Sequence, residues 1–131
     1  MENLVTENIR IQFIQNDGYV DVAYTGFITY EQLVNAVQHH LKMVQHYAVR
    51  KVVVNLQKIV IYPEGGVDYI KTEWFPRITQ YGVTHVAFIV PENVFAQLDM
   101  QAAHAEAEEK KMLLTKYFIE AAAALEWIKQ F

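Results

Sequence analysis

The stretch from Arg50 to Gly66 constrains this chain more than any other. Three consecutive valines, Val52-Val53-Val54, lead into Asn55-Leu56-Gln57 and then into a loop, Ile61-Tyr62-Pro63-Glu64-Gly65-Gly66, ahead of a helical pattern. A β-branched run without polar alternation reads as a strand buried on both faces, as parallel sheets require. Such a strand needs helices to cover it, which points to an α/β architecture. In open α/β sheets, ligands and partners gather at the carboxyl ends of the strands, and this loop is expected there.

The flanking segments extend the pattern. Ile9, Ile11 and Phe13 alternate with Arg10 and Gln12, and Tyr19 to Tyr24 alternates again after Asn16-Asp17-Gly18, which predicts a hairpin ended by Gly26. Thr29 with Gln32 forms a capping box. Leu33, Val37, Leu41 and Val44 then follow at helical spacing, predicting a first helix from Tyr30 to Tyr47. The third strand is read from Arg50 to Leu56. Val67, Ile70, Trp74, Ile78 and Tyr81 describe a second helix that Pro76 is expected to kink or divide. Val83–Val90 predicts a buried strand. A third helix opens at Pro91-Glu92-Asn93, with Phe95, Leu98, Ala102, Ala105 and Met112 as its apolar stripe. Tyr117-Phe118-Ile119 reads as a last strand and Glu120–Lys129 as a closing helix. The order predicts a mixed five-stranded sheet, an N-terminal hairpin followed by alternating helix and strand, covered by about four helices in one domain, residues 1–131.

Composition removes whole classes of function. The chain has no Cys and no Ser, which excludes disulfides, thiol nucleophiles and serine-hydrolase triads and makes the cytoplasm the expected compartment. A net charge of −4 with dispersed basic residues argues against a nucleic-acid partner. Met1–Glu7 has neither the basic start nor the apolar core of a signal peptide, and no apolar run approaches the roughly 20 residues of a membrane span. The five histidines form no His-Glu-x-x-His motif, and His39 and His46 stand seven residues apart, so no metal site and no cofactor are expected. They read as solvated helix residues. Glu64, Asp68 and Glu73 lie near the loop, but no nucleophile, base and orienting group can be assembled around them, so the chain is read as non-enzymatic.

The element order, the strand-to-loop step at Val52–Gly66, Tyr81-Gly82-Val83 leading into Val86–Val90, and Tyr117-Phe118 followed by Ala124-Leu125-Glu126-Trp127-Ile128 resemble the STAS-like proteins. These are small bacterial relatives of the anti-sigma-factor antagonists and of the sulfate-transporter regulatory domain. In the antagonists this loop carries an Asp-Ser-Ser-Gly motif whose serine is phosphorylated to control partner binding. Here the corresponding step reads Tyr62-Pro63-Glu64-Gly65, so glycine is kept and the serine switch is absent.

The resemblance implies a protein-interaction or regulatory module acting through Tyr62, Pro63, Glu64, Gly65 and Gly66. An alternative follows from the aromatics: Phe27, Tyr62, Tyr69, Trp74, Phe75 and Phe95 are expected to surround a cavity for an apolar, lipid-like small molecule between sheet and helices. The distantly comparable CRAL-TRIO lipid-binding fold points the same way. Trp74, Phe75, Trp127 and Phe131 exceed what a small core must hide, and they predict a homodimer.

Overall fold

The computed structural model describes residues 1–131. Six strands, β1 (Leu4–Val5), β2 (Ile9–Ile14), β3 (Tyr19–Phe27), β4 (Lys51–Ile61), β5 (His85–Ile89) and β6 (Leu114–Phe118), form one sheet in chain order. The first three pair antiparallel, and β3 to β6 pair parallel. Five strands were expected. The sixth is β1, a two-residue edge strand too short to show any periodicity.

Helices α1 (Tyr30–Tyr47), α2 (Gly66–Tyr69) with α3 (Phe75–Gln80), and α4 (Val94–Lys110) connect successive parallel strands, and α5 (Ala121–Ile128) closes the chain. Because strand order advances in one direction, crossovers of one hand place α1, α2–α3 and α4 on the same face. That face holds a cluster of 26 buried apolar residues, including Val22, Val37, Val54, Trp74 and Phe88. The opposite face buries only six, among them Val53 and Ala87 of the sheet and Ile128 of α5. Lys51, at the start of β4, ties α5 down by donating to the carbonyls of Ile128 at 3.0 Å and Phe131 at 2.7 Å.

Thr29 and Gln32 form the expected capping box, each side chain taking the other's backbone N–H at 3.1 and 3.0 Å. Thr29→Ala removes one of these bonds, and urea denaturation is expected to show a loss of about 1 kcal/mol. An unchanged midpoint would mean that α1 is held by packing alone.

Three local readings require correction. First, β4 does not end at Leu56 but continues to Ile61, with two register shifts against β3. Asn55 accepts the Gln57 amide at 3.0 Å within the first irregularity, a bulge that periodicity cannot anticipate. Second, the helix is divided just ahead of Pro76, as expected, but the form of the division is a π turn. The five residues Ile70–Trp74 form a π-helical turn in which the Phe75 amide reaches back to the Ile70 carbonyl. Widening the turn relieves the clash that a proline ring would otherwise make with the preceding turn. Third, α4 buries Ala96, Met100, Ala103, His104 and Ala107, while Phe95, Leu98, Ala102 and Ala105 face solvent. Small side chains bring this helix close to the sheet, so its larger apolar residues are turned outward.

Candidate functional site at the carboxyl edge

The long β4 delivers its loop to the carboxyl edge of the sheet, where several contacts hold it. The Tyr62 amide donates to Asp99 of α4 at 3.0 Å, and the Gly66 amide donates to the Pro63 carbonyl at 2.8 Å. Gly65 has φ +83°, and a Cβ there would stand 3.1 Å from the Tyr30 ring. Any other residue would be strained in backbone and crowded at once. Glu64 and Gly65 are exposed, Tyr62 and Pro63 half-buried, and Gly66 buried. Glu64 has no ion-pair partner, so its carboxylate is presented to solvent.

Between this loop, α1, the π turn and the sheet lies an apolar cavity of about 40 Å³. Val22, Val54 and Phe88 form its floor, Val37 and His40 one wall, and Tyr62, Pro63, Ile70 and Trp74 its cover; His104 reaches it from α4. Of the six aromatics expected to share a cavity, Tyr62 and Trp74 line this one. Phe75 packs edge-on against Trp74 at 4.7 Å inside the core. Tyr69 meets Tyr30 edge-on at 5.9 Å, on a surface groove that also holds Glu64, Asp68 and Glu73. Phe27 and Phe95 do not line the cavity: they are 72% and 64% exposed. Of the four aromatics that suggested self-association, Trp74 and Phe75 are buried, and Trp127 is half-buried.

Two histidines are the polar surprise of this region. Solvated histidines were expected, yet His40 is 1% and His104 3% exposed. Both ring nitrogens of His40 lack a hydrogen-bond partner. Its ring lies nearly parallel to Trp74, 6.2 Å away. Burial, assisted by neighbouring His39, lowers its pKa to about 3, and burial lowers that of His104 to about 4 against the opposing pull of Glu108. Both imidazoles are therefore neutral near pH 7. Burial also raises the Tyr62 phenol well above its ordinary value, with Tyr24 and Asp99 adding to the effect.

His104 is held by a chain of bonds running to the surface. Tyr117 Oη donates to Glu108 Oε1 at 2.7 Å, and Thr115 Oγ1 donates to the same oxygen at 2.7 Å. With its proton committed to Glu108, the Tyr117 oxygen accepts from His104 Nδ1 at 3.0 Å. The proton therefore sits on Nδ1. His104 Nε2 is left as an acceptor with no hydrogen bond.

The sequence contained a signal for His40, which lies three residues after Val37 and seven after Leu33, on the buried stripe of α1. A histidine in register with a core stripe is a buried histidine. His104 was hidden by the mistaken phase of α4.

Around the loop, the carboxyl edge exposes large apolar side chains. Phe27 and Ile61 are register partners at the ends of β3 and β4, and Ile61 is 42% exposed. On α4, Val94, Phe95 and Leu98 are 59%, 64% and 58% exposed, beside the Asp99 that holds Tyr62. Ile119, just beyond β6, is 78% exposed. No helix is long and apolar enough to cross a membrane, and no group of three His, Asp or Glu side chains is placed to hold a metal ion.

No family model matches the chain, and no curated protein matches it in sequence. Among solved structures it is similar to an uncharacterized protein of the DUF3478 family from Shewanella loihica PV-4, described as having a SpoIIAA-like fold. The two share 17% identity over 92% of this chain and 91% of the other, with a TM-score of 0.60. The STAS-like architecture expected from the sequence is thus present: the chain has a SpoIIAA-like fold.

Proposed function

We propose that this protein is a non-enzymatic interaction module that docks a protein partner at the carboxyl edge of its sheet, through Tyr62–Gly66 and the apolar side chains around it. The observation that carries this reading is the exposure of Phe27, Ile61, Phe95 and Leu98 beside a loop that Asp99 holds in place. Exposed apolar groups gathered around a rigid loop are characteristic of binding surfaces. The adjoining groove bears Glu64, Asp68 and Glu73, and of these only Glu73 is ion-paired, with Arg77 at 3.4 Å. Its negative charge favours a partner segment with both apolar and basic side chains and disfavours an anionic membrane surface.

An amphipathic Leu/Lys helical peptide is a direct probe of this chemistry, with fluorescence anisotropy as the readout. Wild type is expected to bind it, and Phe27→Asp with Phe95→Asp to weaken binding at least about tenfold, since each change puts a charge at an exposed apolar contact. Glu64→Gln with Asp68→Asn should weaken it less and flatten its salt dependence. Both pairs change exposed residues, so folding is spared. Binding that ignores both pairs would remove the reading. Co-sedimentation with anionic vesicles, or dimerisation in sedimentation equilibrium, that is abolished by the Phe27/Phe95 pair would instead assign the edge to lipid or to a second copy.

The cavity favours a second reading, the binding of an apolar small molecule between sheet and helices. At about 40 Å³ the space has the scale of one or two water molecules, whereas cavities that take up benzene are about 150 Å³. Any ligand is therefore small, or lifts the cover formed by Ile70 and Trp74.

A further inference from the structure

We propose that the cleft at the amino edge of the sheet, at the far end of the strands from Tyr62–Gly66, is a site for a small aromatic carboxylic acid held through Lys51 and Arg50. The site is independent of the docking surface at the carboxyl edge. Its volume is about 460 Å³, within the range of small-molecule sites and far above that of the cavity beneath the π turn. The end of α1, the turn between β2 and β3, the starts of β4 and β5, and Phe131 beyond α5 converge on it. Two ring pairs supply its apolar walls. Phe13 stacks on Tyr47 with centroids 3.9 Å apart, and Phe131 stacks on His85 at 4.0 Å.

The charge of the lining selects the ligand. Lys51 and Arg50 border the cleft, and no Asp or Glu does. Asp17, next to the lining Gly18, stands 4.0 Å from Lys129 instead. Lys51 is only 8% exposed and is in no ion pair with an Asp or Glu side chain. Two of its three protons go to the main-chain oxygens of Ile128 and Phe131. A buried ammonium without a side-chain counter-charge is costly, and a carboxylate beside it relieves that cost. Its charge is felt within the site: after burial, it is Lys51 that lowers the pKa of His85. Arg50 adds an exposed guanidinium that is in no ion pair, a group whose forked geometry suits a carboxylate. A cationic ligand would be repelled by both side chains, and an uncharged one would leave both charges as they are.

The experiment compares cinnamate with cinnamamide, which keeps the ring and removes the charge, by NMR titration of the full chain. The His85 ring is the reporter: an anion beside Lys51 and Arg50 raises its pKa, whereas an uncharged ligand does not. Cinnamate is expected to bind about tenfold more tightly than the amide and to move the His85 titration to higher pH. Arg50→Gln should remove most of that preference. Arg50 is exposed, so this variant folds, whereas replacing Lys51 would also release α5. Phe131→Ala should weaken acid and amide alike, because it takes away wall and not charge. Phe27→Asp with Phe95→Asp alters the opposite edge and should leave cinnamate binding unchanged, so the two surfaces are tested separately. Equal binding of acid and amide, no binding of cinnamate at millimolar concentration, loss of binding in the Phe27/Phe95 pair, or full binding in Arg50→Gln with the His85 titration unmoved would each overturn the proposal.

Discussion

Between pH 6.5 and pH 4 the protein is expected to lose about 6 kcal/mol of stability, a large part of the 5–15 kcal/mol typical of a domain. In the folded state burial holds His40 at a pKa of about 3 and His104 at about 4, against the ordinary 6.5 that each regains on unfolding. In this window the unfolded chain binds two protons that the folded chain does not, so stability rises with pH and is lost as pH falls. Each histidine contributes about 3 kcal/mol by pH 4. His39 pushes His40 further down, whereas Glu108 pulls His104 partly back. Urea unfolding followed by circular dichroism at pH 7 and pH 4.5 measures the effect. His40→Leu should remove about half of the pH dependence and raise stability at pH 7, since it deletes an unsatisfied buried group. Equal stability at the two pH values would mean that water or relaxation already solvates both rings.

Trp74→Ala is expected to cost about 3–5 kcal/mol. Trp74 is 4% exposed and is packed edge-on against Phe75 at 4.7 Å and Phe88 at 6.0 Å. Phe75 and Phe88 are themselves buried at 2% and belong to the main core cluster, so they are poorly placed to collapse into the gap. The new space would instead merge with the cavity already beneath the π turn. Trp74→Phe should recover much of the loss, because a ring remains to pack on Phe75. Chemical denaturation of the two variants gives the comparison, and a loss below about 1 kcal/mol for Trp74→Ala would show that the π turn closes onto the sheet.

Much of the fold was legible because its signals are local. Thr29 and Gln32 lie three residues apart and need only each other to cap α1, and the valines of β4 announce a strand covered on both sides wherever it lies in the sheet. The element order then restricts the chain to a few topologies, because parallel crossovers share one hand. The loop Tyr62–Gly66 was readable for the same reason: Pro63, Gly65 and Gly66 mark a break that must follow β4. What failed were readings that depend on a neighbour. Pro76 predicts a disturbed helix, but the form of the disturbance, a π turn ending two residues upstream, depends on what Trp74 and Phe75 pack against. Apolar residues occur on more than one side of α4, and composition alone favours the side with Phe95 and Leu98.

By itself the sequence determined the class, the order of elements, the position of the loop at the carboxyl edge, and the absence of a serine or cysteine to work with. Only the tertiary structure decided that α4 turns its alanines inward, that Phe27 and Phe95 stand outside, and that His40 faces a cavity without a partner. The physical reason is the range of the forces involved. Capping, turn chemistry and periodicity act within a few residues, whereas burial is set by which elements meet, and a histidine becomes neutral and unsatisfied only once α1, the π turn and the sheet have closed around it.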